Sequence, residues 1–131
     1  MLITRETEYA IRMIRALANN EIMAVKTICE NENIPYKFAY KILKKMERHK
    51  MVKAFQGARG GYRLNKEVSE ISLFDILEMN PKNLQLANEC SCADCAKYTS
   101  ECGVNKEFTL LKDTITLKLR KRTMDKVIMA G

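Results

Sequence analysis

Three of the chain's five glycines crowd into positions 57, 60 and 61, between two short runs of alternating apolar residues. Val52 and Ala54 come before them, and Tyr62 and Leu64 follow. A period of two lays one face of a strand on a core. Glycine supplies the positive-φ backbone that a tight reversal needs. The segment therefore predicts a β-hairpin whose tip is Gln56-Gly57-Ala58-Arg59-Gly60-Gly61. Glycine and proline are otherwise scarce in these 131 residues, so this strand pair limits the fold more than any other feature.

Upstream the period is helical. Ala10, Met13, Ile14 and Leu17 predict a helix over residues 4–18. Val25, Ile28 and Cys29 predict a second over 25–30, followed by a turn at Asn31-Glu32-Asn33. Pro35 suits the first turn of a third helix that runs to about His49. Helix, helix, turn, helix, hairpin is the order of a winged helix-turn-helix. The expected fold is mainly α with a small β-hairpin wing.

Downstream, Ser72 is a good N-cap with Asp75 placed to answer it, which predicts a fourth helix to about Met79, ended by Pro81. A loop of about 20 residues follows, a length that in a compact domain marks function or disorder. Then Val104, Phe108, Leu111, Ile115 and Leu119 recur at helical spacing, predicting a long amphipathic helix to about Lys126. Little chain remains for it to fold against, so its apolar stripe is expected to meet a second copy as a dimerisation helix. The expected division is a DNA-binding domain over 1–80, a cysteine-rich loop over 81–103, and the long helix and tail over 104–131.

Charge is placed unevenly. Of the net +7, residues 1–66 carry 14 basic against 6 acidic side chains, or +8, and residues 67–131 carry 9 against 10, or −1. A basic first half favours a polyanionic partner. No apolar run approaches the roughly 20 residues of a membrane span. The charged start MLITRETE is no signal-peptide core, so no membrane partner and a cytoplasmic location are expected.

The third helix sorts its residues by face. Phe38, Ile42 and Met46 are expected toward the core. Lys37, Lys41, Lys44 and Arg48 form a continuous opposite stripe, flanked at its start by Tyr36 and Tyr40. A helix built this way can enter a major groove about 12 Å wide. Tyr36, Lys37, Tyr40 and Lys41 are placed for base edges and Lys44 for phosphates. At the hairpin tip, Arg59 is placed for a narrow minor groove, with Gln56 and Gly60 beside it. The expected partner is double-stranded DNA.

Four of five cysteines fall in a C-x-C-x2-C-x6-C array of Cys90, Cys92, Cys95 and Cys102. Thiolates this dense, where thiols stay reduced, point to a metal or an iron-sulfur cluster. Zinc is the alternative, since four thiolates make a closed tetrahedral site, although three ligands in six residues is tighter than paired knuckles. A metal-free thiol switch is a further alternative. Cys29 falls on the inner face of the second helix and is expected in the core. A thiol oxidoreductase using Cys92 and Cys95 is disfavoured. Glu89, Asp94 and Glu101 surround the thiols with negative charge, and no strand–helix redox fold is visible.

The run IPYKFAYKILKKMERHKMVKAFQGARGGYRLNKEVSEISLFDILEMN closely resembles the winged-helix regulators of the IscR, NsrR and CymR kind, the Rrf-two family. GARGGYRL followed by ISLFDIL is its most specific part, and the opening MLITRETEYAIRMI fits as well. The resemblance covers nearly the whole chain. It implies a homodimer whose long helices cross and whose recognition helices each read half of a palindrome. It also implies a regulator that senses redox state, nitric oxide or iron-sulfur status. Cys102, ahead of GVNKEF, matches the last cysteine of the cluster-bearing members, and Cys95 the middle one. Cys90 or Cys92 matches the first. The histidine that IscR-like members carry is Asn105 here, and the chain's single histidine, His49, ends the recognition helix. In NsrR-like members an acid of the partner's first helix completes a 4Fe-4S cluster, and Glu8 occupies that place. The resemblance thus favours 4Fe-4S over 2Fe-2S, completed by the remaining cysteine or by Glu8. CymR-like members that act through an enzyme partner lack the cysteine loop, which counts against a plain interaction module.

Overall fold

The computed structural model describes residues 3–84 and 102–129. Helix α1 (Arg5–Ala16) begins at Thr4, whose hydroxyl accepts from the Thr7 amide at 3.3 Å, a cap that satisfies an otherwise orphaned donor. Helix α2 (Val25–Glu32) ends where Asn33 takes a left-handed conformation, φ +53°, which asparagine tolerates. Helix α3 (Tyr36–Arg48) starts directly after Pro35. Proline stands one residue outside the helix, where its fixed φ and missing N–H cost nothing.

The three helices pack around Ala10, Met13, Ile14 and Leu17 of α1, Val25, Ile28 and Cys29 of α2, and Ala39, Ile42, Leu43 and Met46 of α3. One expected core residue departs from this. Phe38 is 43% exposed and stacks on Tyr9 with ring centroids 6.3 Å apart. At 100° per residue it lies about 90° from the centre of the buried stripe, on its rim.

Strands β1 (Val52–Phe55) and β2 (Gly61–Leu64) pair antiparallel with Val52 opposite Leu64 and Ala54 opposite Tyr62. The alternating residues face the core as expected. A third piece joins them: Met23 and Tyr62 exchange two backbone hydrogen bonds of 2.9 Å, so the chain ahead of α2 is stitched to the wing. This contact explains Gly61. A Cβ there would stand 2.2 Å from the Met23 carbonyl oxygen. Gly60 is needed for a different reason than expected. Its φ is not positive, but a Cβ would meet the Phe55 carbonyl at 2.5 Å.

Helix α4 (Leu73–Glu78) is entered through a reciprocal cap between Ser72 and Asp75. Pro81 opens a short 3-10 turn, where buried Asn83 donates to Leu77's carbonyl and to the Thr7 hydroxyl, tying the turn to α1. Helix α5 spans Gly103–Lys121 and stops short of Lys126. Its end is tertiary in origin: the Arg122 carbonyl and the Met124 amide bond across to Leu73 and Ile71, and Thr123 bridges Ser72. The chain then forms α6 (Met124–Met129), with Met124 fully buried in the same core as α1. Among the described residues no helix is long and apolar enough to cross a membrane.

Candidate nucleic-acid interface and thiol site

The face of α3 opposite the core carries Lys37, Lys41, Lys44 and Arg48, all exposed. None is within ion-pair distance of a carboxylate among the described residues. Lys45, turned toward the core side, is used differently: its ammonium binds Glu6 of α1 at 2.6 Å. The helix thus spends one lysine on packing and leaves four cations without a carboxylate partner among the described residues, of which Lys37 rests 5.0 Å from the centroid of the Phe38 ring.

Tyr36 and Tyr40 stand one turn apart at the start of this face. Their rings meet edge-on at 5.3 Å, and the Tyr36 hydroxyl donates to that of Tyr40 at 3.2 Å. That bond pushes the Tyr36 phenol above its ordinary value. The pair borders a hollow of about 380 Å³ shared with Gln56, Gly57 and Gly60 of the wing and with Lys26 of α2. Arg59 is exposed at the wing tip. Tyr36, Lys37, Tyr40, Lys41, Lys44, Gln56, Arg59 and Gly60 thus belong to the third helix and the wing, and the hollow joins the two. Lys26 was missed in the sequence because a lone lysine on an amphipathic helix is indistinguishable from a solvated one.

Of the proposed metal ligands, Cys90, Cys92 and Cys95 lie outside the described residues. Cys102 is half-buried, with a free thiol, at the N-cap of α5, and its side chain caps no backbone amide. Glu8 is half-exposed on α1, its carboxylate bonded to Arg12 and 4.0 Å from Arg5. Arg12 also donates to the Glu32 carbonyl at 3.3 Å, and Arg15 clasps the Glu32 carboxylate, so Glu8 is joined through Arg12 to the end of α2. Among the described residues no three metal-binding side chains converge. Cys29 is buried as expected. Burial first, and then Glu30, push its thiol above the ordinary range. His49 caps the exposed end of α3.

Residues 3–130 match the Rrf2 family, described as an iron-dependent transcriptional regulator. The chain is 29% identical to protein aau3 of Rhizobium meliloti, over 99% of this chain and 86% of that protein. It is 28% identical to the HTH-type transcriptional regulator NsrR of Shouchella clausii, over 69% of this chain and 62% of that protein, thus spanning about three-fifths of its length. Two solved structures share the fold at 18% identity and a TM-score of 0.73. CymR, the global cysteine regulator of B. subtilis, is covered over 98% of its chain, with 100% of this one. IscR of T. potens is covered over 88%, with 99% of this one. Family, fold and the exposed basic face of α3 agree: the chain belongs to the Rrf2 family and is a winged-helix transcriptional regulator, not an enzyme.

Proposed function

We propose that the chain binds a palindromic DNA operator in the cytoplasm as a homodimer, and that an iron-sulfur cluster held by its cysteine segment sets the affinity. The observation that carries DNA contact is the row of four exposed cations on α3, none with a carboxylate partner among the described residues, continuous with the tyrosine pair and the wing. Lys44 and Arg48 would neutralise phosphates. Tyr36, Lys37, Tyr40 and Lys41 would meet base edges, and Arg59 with Gln56 and Gly60 the minor groove. Dimerisation is supported by α5, which has no buried residue yet exposes Val104, Phe108, Leu110, Leu111 and Leu117.

The donor set fits an iron-sulfur cluster. Four thiols fall within residues 90–102, and Cys102 stands unengaged at the N-terminus of a 19-residue helix, the end that favours negative charge. Cys95 and Cys102 with Cys90 or Cys92 would hold a 4Fe-4S cluster in preference to 2Fe-2S, completed by the other cysteine or by the partner's Glu8. Bound there, the cluster would supply a centre reactive toward oxygen and nitric oxide. The chain's own part is mechanical. Residues 81–103 join the DNA-binding domain of 1–80 to the helix and tail of 104–131. Stiffening that joint changes the spacing of two recognition helices, and a coupling of about 1–3 kcal/mol shifts occupancy several-fold.

Anaerobic purification followed by visible spectroscopy and iron, sulfide and zinc analysis tests the cofactor. Brown protein with matched iron and sulfide supports the proposal. Colourless protein with stoichiometric zinc makes the site structural, and neither metal makes it a thiol switch.

A further inference from the structure

Lys53 and Arg63, on the outer face of the wing, take no part in the contacts above, although Phe55 of that face also borders the hollow beside Tyr36 and Tyr40. Lys53 and Arg63 are direct cross-strand partners, and Phe55 lies on the same face, two residues along β1 from Lys53. Both cations rest on its ring, the Lys53 ammonium 5.7 Å and the Arg63 guanidinium 5.0 Å from the centroid. Neither has a carboxylate within ion-pair distance among the described residues. Like charges directly opposite each other destabilise an antiparallel pair. The ring's quadrupole offsets part of that cost, and a polyanion would remove it. Toward the base of the wing, Glu67 and Glu70 share a hollow with Arg63, and their carboxylates are committed to capping a 3-10 turn. The positive stretch therefore runs from Arg63 toward Arg59 at the tip.

We propose that Lys53 and Arg63, seated on Phe55, grip phosphates of the DNA strand that passes along the outer side of the wing. The proposal rests on the DNA-binding function above and extends its footprint. The occupant follows from continuity. A hairpin whose tip enters a minor groove has one phosphate backbone on each flank. The inner flank adjoins α3 through the hollow beside Tyr36 and Tyr40, which leaves the second backbone to the outer flank. Guanidinium and ammonium groups both suit phosphate. A ring that already restrains them lowers the ordering cost of binding.

The test is the salt dependence of affinity, measured for the full-length protein and its Lys53→Gln/Arg63→Gln variant on a mixed-sequence duplex and on an operator fragment selected from random duplexes. Each phosphate contact contributes about 0.9 to the slope of log affinity against log salt, so the double variant should lose about 2. Affinity should fall by the same factor on both duplexes, with thermal stability unchanged or raised. Lys53→Gln alone should lose about 1 of slope, which keeps the test informative if the double variant folds poorly. Phe55→Leu should weaken binding with the slope unchanged. A folded double variant with the parent's slope and affinity overturns the proposal and leaves the face to another partner, such as an acidic protein. A loss confined to the selected operator overturns it as well, because it would mark base contact. If the parent binds neither duplex, the DNA-binding function itself fails, and the parent's curve alone shows that.

Discussion

Gly61 decides whether the chain ahead of α2 can pair with the wing. With the Met23 carbonyl 2.2 Å from where a Cβ would stand, Gly61→Ala must push the Met23 segment away from β2. Gly57, at φ +103° in open space, asks only for conformational freedom. We expect Gly61→Ala to cost about 3–5 kcal/mol and Gly57→Ala about 1–2 kcal/mol in urea denaturation; equal costs would show that the Met23 contact does not form. Cys29 gives a pH signature. Its folded thiol lies above the unfolded value, so the folded state keeps the proton longer. Stability from this source is whole below about pH 8.5, the ordinary thiol value, and is lost as pH rises toward the folded one. Denaturation across that alkaline range should show a shallower decline for Cys29→Ala than for the parent, and parallel declines would contradict the burial. The glycine cluster was visible in the sequence as a turn needing positive φ, which Gly57 and Gly61 adopt and Gly60 does not, but its steric reasons were not visible. Only one of the three stands at the open tip, and the other two are fixed by the bridging residue Met23, 38 residues away, in the case of Gly61 and by the turn's own carbonyls in the case of Gly60.

Local periodicity made α1 to α3 and both strands legible, because each buries one face against the same core, and the Ser72–Asp75 cap marked α4. It failed where an element ends for a tertiary reason. Val104 to Leu119 continues smoothly into Thr123 and Lys126, and nothing in that spacing shows that Ile71 and Leu73 capture the chain at Arg122 and Met124. The consequence is that α5 is anchored at its C-terminal end. There the Arg120 guanidinium lies 3.8 Å from the centroid of the Phe74 ring, while the N-terminal two-thirds holds out bare apolar side chains. Leu110 and Leu117 lie off the expected stripe, so the exposed surface is broader than a single seam. We expect Phe108→Glu/Leu111→Glu to shift the protein from dimer to monomer at micromolar concentration in analytical ultracentrifugation, with the unfolding transition of the DNA-binding domain kept. Dimerisation unaffected by both charges would place the interface elsewhere.

At the scale of the molecule, the helix and hairpin proposed to read DNA were legible as elements because both are written in contiguous sequence. The segment proposed to sense was legible only as a donor set. Three of its thiols lie outside the described residues, and Glu8, the acid that would complete the site from a partner, is held by Arg12 in this chain. A cluster that recruits the partner's Glu8 must take it from that arginine, whose other bond reaches the Glu32 carbonyl just ahead of the recognition helix. The two halves are coupled only if ligation at the cysteines alters DNA grip. The direct measurement is operator affinity of the cluster-loaded and metal-free dimer at one fixed salt concentration, under anaerobic conditions. A several-fold difference, abolished when Cys90, Cys92, Cys95 and Cys102 are all replaced by serine, is expected. Equal affinities in the two states would leave a DNA-binding protein whose thiols do not govern it.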